Sequence, residues 1–86
     1  MTDVTITVHY FARLREQLGT EQETVTVPAN LTLAELKQRL AERGAPWQLL
    51  TGERPVLAAV NQAMAKNSTS LQDRDEVAFF PPVTGG

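Results

Sequence analysis

The chain contains no cysteine. That absence removes a disulfide scaffold, a thiolate metal site and a cysteine nucleophile at one stroke. Any sulfur chemistry must therefore be carried by something other than a side-chain thiol. Histidine is almost as scarce. His9 stands alone, and with no second imidazole or aligned carboxylate it reads as a surface residue, so no metal is expected. An excess of positive charge is missing too: the formal net charge is −2, and no basic run is interleaved with aromatics, which argues against nucleic acid as a partner. No apolar stretch approaches the roughly 20 residues that span a bilayer. Met1-Thr2-Asp3 opens no basic region followed by an apolar core. A cytoplasmic protein without membrane contact is the expectation.

What is present fits one small domain. Eighty-six residues, 42% hydrophobic and 21% charged, lie near the lower limit at which a single core supports a fold without staples. No repeat, low-complexity tract or linker divides them.

Period-two alternation of Val4, Ile6, Val8 and Tyr10 with Thr5, Thr7 and His9 predicts a strand with one buried face. The period then changes. Over Phe11 to Leu18, Leu14 and Leu18 share a helical side, and Gly19 is a suitable stop. Thr24 to Val27 reads as a second short strand closed by Pro28. Thr32 and Glu35 have capping-box spacing and Leu31 and Leu36 that of a hydrophobic staple. A helix carrying Leu33, Leu36 and Leu40 as its apolar stripe follows, ended by Gly44 and Pro46. Trp47 to Leu50 reads as a helical turn or a packed loop, Val56 to Val60 as a strand turning near Asn61, and Asn67 to Ser70 as a loop. Glu76 to Phe80 is the final strand, and Pro81 and Pro82 end its pairing by removing backbone donors. One amphipathic helix over one face of a small sheet makes an α+β domain. The pattern predicts a folded body over residues 1–81 and a flexible diglycine tail over residues 82–86.

The end of the sequence, Phe79-Phe80-Pro81-Pro82-Val83-Thr84-Gly85-Gly86, carries the most specific signal. Two consecutive glycines at a given place arise by chance at about half a percent. Flexible linkers and expression scars also end in glycine, so the preceding residues matter. Glycine has no side chain to block a narrow channel, which leaves the α-carboxylate of Gly86 as the only reactive group that needs to enter a partner's site. The prolines have the opposite part: they hold the base of the tail extended and lower the entropy lost on docking. From Pro82 to Gly86 the reach is about 16 Å at full extension.

Asp75-Glu76-Val77-Ala78-Phe79-Phe80-Pro81-Pro82-Val83-Thr84-Gly85-Gly86, with Leu57-Ala58-Ala59-Val60-Asn61-Gln62 and Tyr10-Phe11-Ala12 followed by Arg15-Glu16, resembles the ubiquitin-like β-grasp sulfur carriers. Within them the resemblance is to the small subunits of molybdopterin synthase. It implies a mixed sheet in which the first and last strands run parallel at the centre. It also implies a non-catalytic, sulfur-donating subunit of a heteromeric sulfurtransferase, acting in molybdenum cofactor biosynthesis. An ATP-dependent, ubiquitin-activating-like adenylyltransferase would adenylate Gly86, which is then converted to a thiocarboxylate. The loaded tail would enter the large subunit and give its sulfur to the cyclic pterin precursor, cyclic pyranopterin monophosphate. ATP belongs to the activating enzyme, and no cofactor is implied for the carrier itself. A heterotetramer of two small and two large subunits is the implied assembly. A sulfur carrier of the thiamine type, another ubiquitin-like sulfur carrier and a ubiquitin-like protein modifier share the diglycine end; the Phe-Phe-Pro-Pro-Val-Thr stretch argues against the first.

Several residues have two readings. Gly86 and Gly85 are the chemical site, and Pro81, Pro82, Val83 and Thr84 dock with them. Phe80 shares a strand face with Ala78, opposite Val77 and Phe79, and either packs beneath the helix or meets a partner. Phe11 is a docking residue or packs at the start of the short helix. Met64 fills the core or suits an adaptable interface. Arg15 pairs with a partner carboxylate or the tail, or is a solvated helical charge. Asp73, Asp75 and Glu76 read as a capped turn in preference to a cation site, and Lys37, Arg39 and Arg43 as the exposed face of the long helix.

Overall fold

A computed structural model describes residues 2–52 and 55–82. Its first strand, β1 (Asp3–Tyr10), buries Val4, Ile6, Val8 and Tyr10 in strict alternation, as the period-two pattern requires. The chain then leaves the sheet abruptly. Phe11 is extended, with φ −118° and ψ 157°, and Ala12 follows at φ 53°. That left-handed value costs a non-glycine residue on the order of 1 kcal/mol. Helix α1 (Ala12–Leu18) buries Leu14 and Leu18 and stops where expected: Gly19 takes a left-handed φ of 68° and its N–H donates to the Arg15 carbonyl.

Strand β2 (Gln22–Pro28) is longer than its Thr24–Val27 apolar signal. It pairs antiparallel with β1, and the register carries the ladder out to His9 opposite Gln22. Backbone pairing is indifferent to side-chain polarity, so polar Gln22 and Glu23 join the strand. Helix α2 (Leu33–Ala41) has the anticipated capping box. The Glu35 N–H donates to Thr32 Oγ1 at 3.2 Å, and the Thr32 N–H donates to Glu35 Oε1 at 2.9 Å. Leu33, Leu36 and Leu40 are buried, as is the staple residue Leu31. Trp47–Thr51 is a 3₁₀ turn that buries Leu50.

Strand β3 (Leu57–Val60) turns back through Asn61 and Gln62 into β4 (Ala63–Met64), a strand too short to leave a periodic trace in the sequence. Val60 pairs with Ala63, and both turn residues have positive φ, 51° and 70°. A two-residue hairpin of this kind matches the right-handed twist of its strands. Strand β5 (Glu76–Phe80) completes the sheet in the order β2-β1-β5-β3-β4. It runs parallel to β1 and antiparallel to β3, as the resemblance implied for the first and last strands. The helices cover one face, giving the β-grasp architecture, with Ile6, Val8, Leu33, Leu36, Leu71, Val77 and Phe79 fully buried. The expected tail falls mostly outside the described residues, which stop at Pro82.

Arg43 departs from expectation. It lies beyond the end of α2, and its guanidinium makes a fork to Glu23, with Nη1–Oε2 at 2.9 Å and Nη2–Oε1 at 2.8 Å. It also stacks 4.4 Å above the Trp47 ring. Glu23 Oε2 accepts a third bond from the Tyr10 hydroxyl at 2.8 Å. The helix terminus is thus fastened to β2, which a surface cation on a helix face would not do. Lys37 is not a free surface charge either, since its Nζ donates to the Val56 carbonyl and to Asn67 Oδ1; burial holds its pKa below the usual lysine value. Arg39 is exposed as expected.

The bond from Arg43, followed by that from Tyr10, holds the Glu23 carboxyl below its ordinary value of 4.5 despite partial burial. A depressed carboxyl stabilises the fold above that ordinary value and loses the contribution as pH falls through the folded value. Glu23→Ala should therefore lower the unfolding free energy by about 1–2 kcal/mol at neutral pH, because it strands a buried phenol; the 38% exposure of the Arg43 side chain limits the loss. Urea denaturation should show the gap between wild type and variant narrowing as pH falls below 4.5.

Candidate functional site

Because side chains alternate, whatever β1, β3 and β5 do not give the core they present on the opposite, uncovered face. On β5 these residues are Glu76, Ala78 and Phe80. The register sets Phe80 opposite Leu57 and Ala78 opposite Ala59 on β3, and Ala59 opposite Met64 on β4. On the other side Ala78 faces His9 of β1, and Phe11 follows at the end of that strand. An apolar strip of Phe11, Phe80, Leu57, Ala59, Ala78 and Met64 thus crosses the end of the sheet from which the tail departs. Thr5, Thr7, Thr24 and Thr26 make the rest of the same face polar.

Phe11 is 49% exposed and Met64 66% exposed, the two large hydrophobic residues left open among the described ones. Exposed apolar area of this kind marks a contact surface. Met64 is accordingly not core filling. Phe80 is half-buried on the uncovered face, so packing beneath the helix is ruled out: only Val77 and Phe79 point that way. Phe11 forms the N-cap position of α1 while its ring lies open, so it starts the short helix through its backbone and not by packing its side chain. Its N–H donates to the Phe79 carbonyl at 3.1 Å, which ties this exposed aromatic to the strand that leads into Pro81 and Pro82. Arg15 is exposed in the last turn of α1 and has no ion-pair partner among the described residues.

Pro81 and Pro82 follow β5 directly and are half-buried. Pro81 borders a cleft of about 260 Å³ lined also by Arg13, Leu14, Gln17, Leu49 and Val56. The base of the tail therefore faces α1 and the segment before β3 across this cleft. Val83, Thr84, Gly85 and Gly86 lie outside the described residues.

The acidic turn is a structural cap. Asp73 Oδ1 accepts the Thr5 N–H, Asp75 Oδ2 accepts the Gln72 N–H, and Asp75 Oδ1 accepts from Asn61 Nδ2. No three His, Cys, Asp or Glu residues converge as metal ligands among the described residues. His9 is more than a lone surface residue: its Nε2 lies 3.1 Å from Glu76 Oε1 and its ring stacks on Phe11. Leu57, Ala59 and Ala78 went unrecognised as site residues, although the strand phase was a usable signal. Their neighbours across the sheet depend on register, which no local pattern discloses.

The profile of the ThiS family matches residues 8–86. The chain is 43% identical over 81 residues to the molybdopterin synthase sulfur carrier subunit of Escherichia coli (strain K12), covering 94% of this chain and 99% of that protein. Among solved structures, a putative molybdopterin converting factor, subunit 1, from Pyrococcus furiosus superimposes with a TM-score of 0.77 at 29% identity, over 93% of this chain and 99% of that one. A chain of the complex between subunits 1 and 2 of molybdopterin-converting factor from Helicobacter pylori 26695 superimposes with a TM-score of 0.63 at 27% identity, over 96% and 100% respectively.

Exposure separates stability from docking. Phe11→Ala and Met64→Ala should each change unfolding free energy by no more than about 0.5–1 kcal/mol. Phe79→Ala, which empties a fully buried site, should cost about 3–5 kcal/mol. Parallel denaturation curves check the contrast.

Proposed function

The chain belongs to the ThiS family, and on that footing we propose that it is the sulfur-carrier subunit of molybdopterin synthase, with Gly86 as the atom-bearing end. The observation that carries the reading is the 43% identity to a named sulfur carrier subunit along nearly the whole of both chains. The uncovered apolar strip beside the strand that leads to the tail supports it. As a carrier it does no catalysis alone; the active site belongs to the large subunit it docks on.

The chemistry follows from the terminal group. An α-carboxylate with a pKa near 3.5 is ionised at neutral pH and a poor acyl donor. Attack of a Gly86 carboxylate oxygen on the α-phosphorus of ATP, within an adenylyltransferase, expels pyrophosphate and gives an acyl-adenylate. A sulfur nucleophile then attacks the acyl carbon and expels AMP, forming the carbon–sulfur bond of the eventual thiocarboxylate. In the large subunit the thiocarboxylate sulfur attacks a carbon of the pterin precursor, forming a carbon–sulfur bond as that carbon's bond to oxygen breaks and the oxygen leaves with a proton. Water then attacks the acyl carbon, breaks the acyl–sulfur bond, leaves the sulfur on the pterin and returns the Gly86 carboxylate. Gly85 supplies passage, since a Cβ there would widen the peptide inside the channel.

Body and tail divide the work. Phe11, Phe80 and Met64 dock on the large subunit, Arg15 offers a charge at the rim, and Pro81, Pro82, Val83 and Thr84 pass into the partner. Placing two carriers on a dimer of large subunits gives each tail its own site. An ATP-dependent cycle suits a cytoplasmic carrier, and no helix among the described residues is long and apolar enough to cross a membrane.

Deletion of Gly86 tests the assignment. Chemically loaded at its new terminus, the shortened carrier should still bind the large subunit within a few-fold of wild type and unfold at the same temperature, because an exposed terminus adds little to stability. Its reacting atom falls about 3.3 Å short, so molybdopterin formation should drop at least 100-fold, as a misplacement of an ångström or more allows. Retained turnover would remove Gly86 from the mechanism.

A further inference from the structure

We propose that His9 is a positioning residue for docking: it holds the Phe11 ring outward against the large subunit, and is itself held by Glu76. The inference rests on the carrier reading above and adds a residue to it.

Three observations converge on His9. Its ring and that of Phe11 lie nearly parallel, with centroids 6.3 Å apart and planes inclined by 21°, an offset stacking geometry. Its Nε2 is 3.1 Å from Glu76 Oε1, on the neighbouring parallel strand. With one ring nitrogen tied to a side chain rooted in the sheet and one face against Phe11, the imidazole has little freedom to turn. Its side chain is only 25% exposed, so it is already walled in on a face that the helices leave uncovered.

Phe11 needs such support. At 49% exposure its side chain lacks the contacts that fix a core aromatic. Its backbone is held by the Phe79 carbonyl and by the left-handed turn at Ala12, but neither constrains the ring. A free ring samples several staggered rotamers and must surrender them on docking. Stacking on a tethered imidazole removes that loss before the partner arrives. The gain is in binding alone: His9 touches no reacting atom, and Glu76 acts only through it.

The test is a double-mutant cycle with the purified large subunit and the full-length thiocarboxylated carrier. His9→Ala in the wild-type background should raise the KM for carrier about 5–10-fold, the scale of one ordered side chain, leaving kcat unchanged. In the Phe11→Ala background the same substitution should change KM less than 2-fold, since there is no ring left to orient. His9→Phe, which keeps the stack and loses the tie to Glu76, should fall between. Equal effects in both backgrounds, no effect in either, or a loss confined to kcat would overturn the proposal. Thermal unfolding of each variant separates misfolding from loss of docking, and if His9→Ala unfolds, His9→Phe and Glu76→Gln read the same coupling. A wild-type carrier that fails to transfer sulfur at all would instead sink the carrier reading; wild-type transfer sensitive to Phe11 but blind to His9 sinks only this one.

Discussion

The parallel pairing of β1 with β5 is the constraint on which the rest depends. It joins residues nearly seventy positions apart in sequence, setting Thr7 beside Glu76 and Tyr10 beside Phe79. Bringing such distant segments together carries an entropic cost that only extensive burial offsets. Burial is supplied here by Val8, Tyr10, Val77 and Phe79, all sealed from solvent on the helical side. Parallel strands point the same way, so the end of β1 and the end of β5 emerge together. Phe11 and the end of β5 are neighbours for that reason.

The same pairing gives the molecule two unlike faces. The helical side is a dry core with every buried polar side-chain atom among the described residues partnered. The opposite side is uncovered, apolar toward the tail and rich in threonine away from it. A domain this small has no spare core for a second layer, so the uncovered face is available for a partner. Core and open face are thereby assigned to different side chains of the same strands: Phe79 holds the body together, and Phe80, one residue on, lies on the opposite face.

Charge serves both faces locally. On the helical side Arg43, Glu23, Tyr10 and Trp47 clasp the chain leaving α2 to the edge strand β2. On the other, Glu76 anchors His9 beside Phe11. Asp73 and Asp75 spend their oxygens capping the turn that feeds β5, which aligns that strand with β1 and sets where the tail starts.

Much of this was legible in the residues themselves. Alternation in β1 and β5, the Thr32–Glu35 cap and the Gly19 stop are local signals, set by side-chain period and backbone hydrogen bonding within a few residues, and each is found where the pattern puts it. The terminal Phe-Phe-Pro-Pro-Val-Thr-Gly-Gly run carried the resemblance to the sulfur carriers, and the family match agrees with it. Strand order, the short β4, the clasp of Arg43 on Glu23 and the stacking of His9 on Phe11 belong to the tertiary structure. Each of these joins groups that are remote in sequence or set by register, and a register is chosen by the summed burial of a whole sheet, which no short window of residues contains.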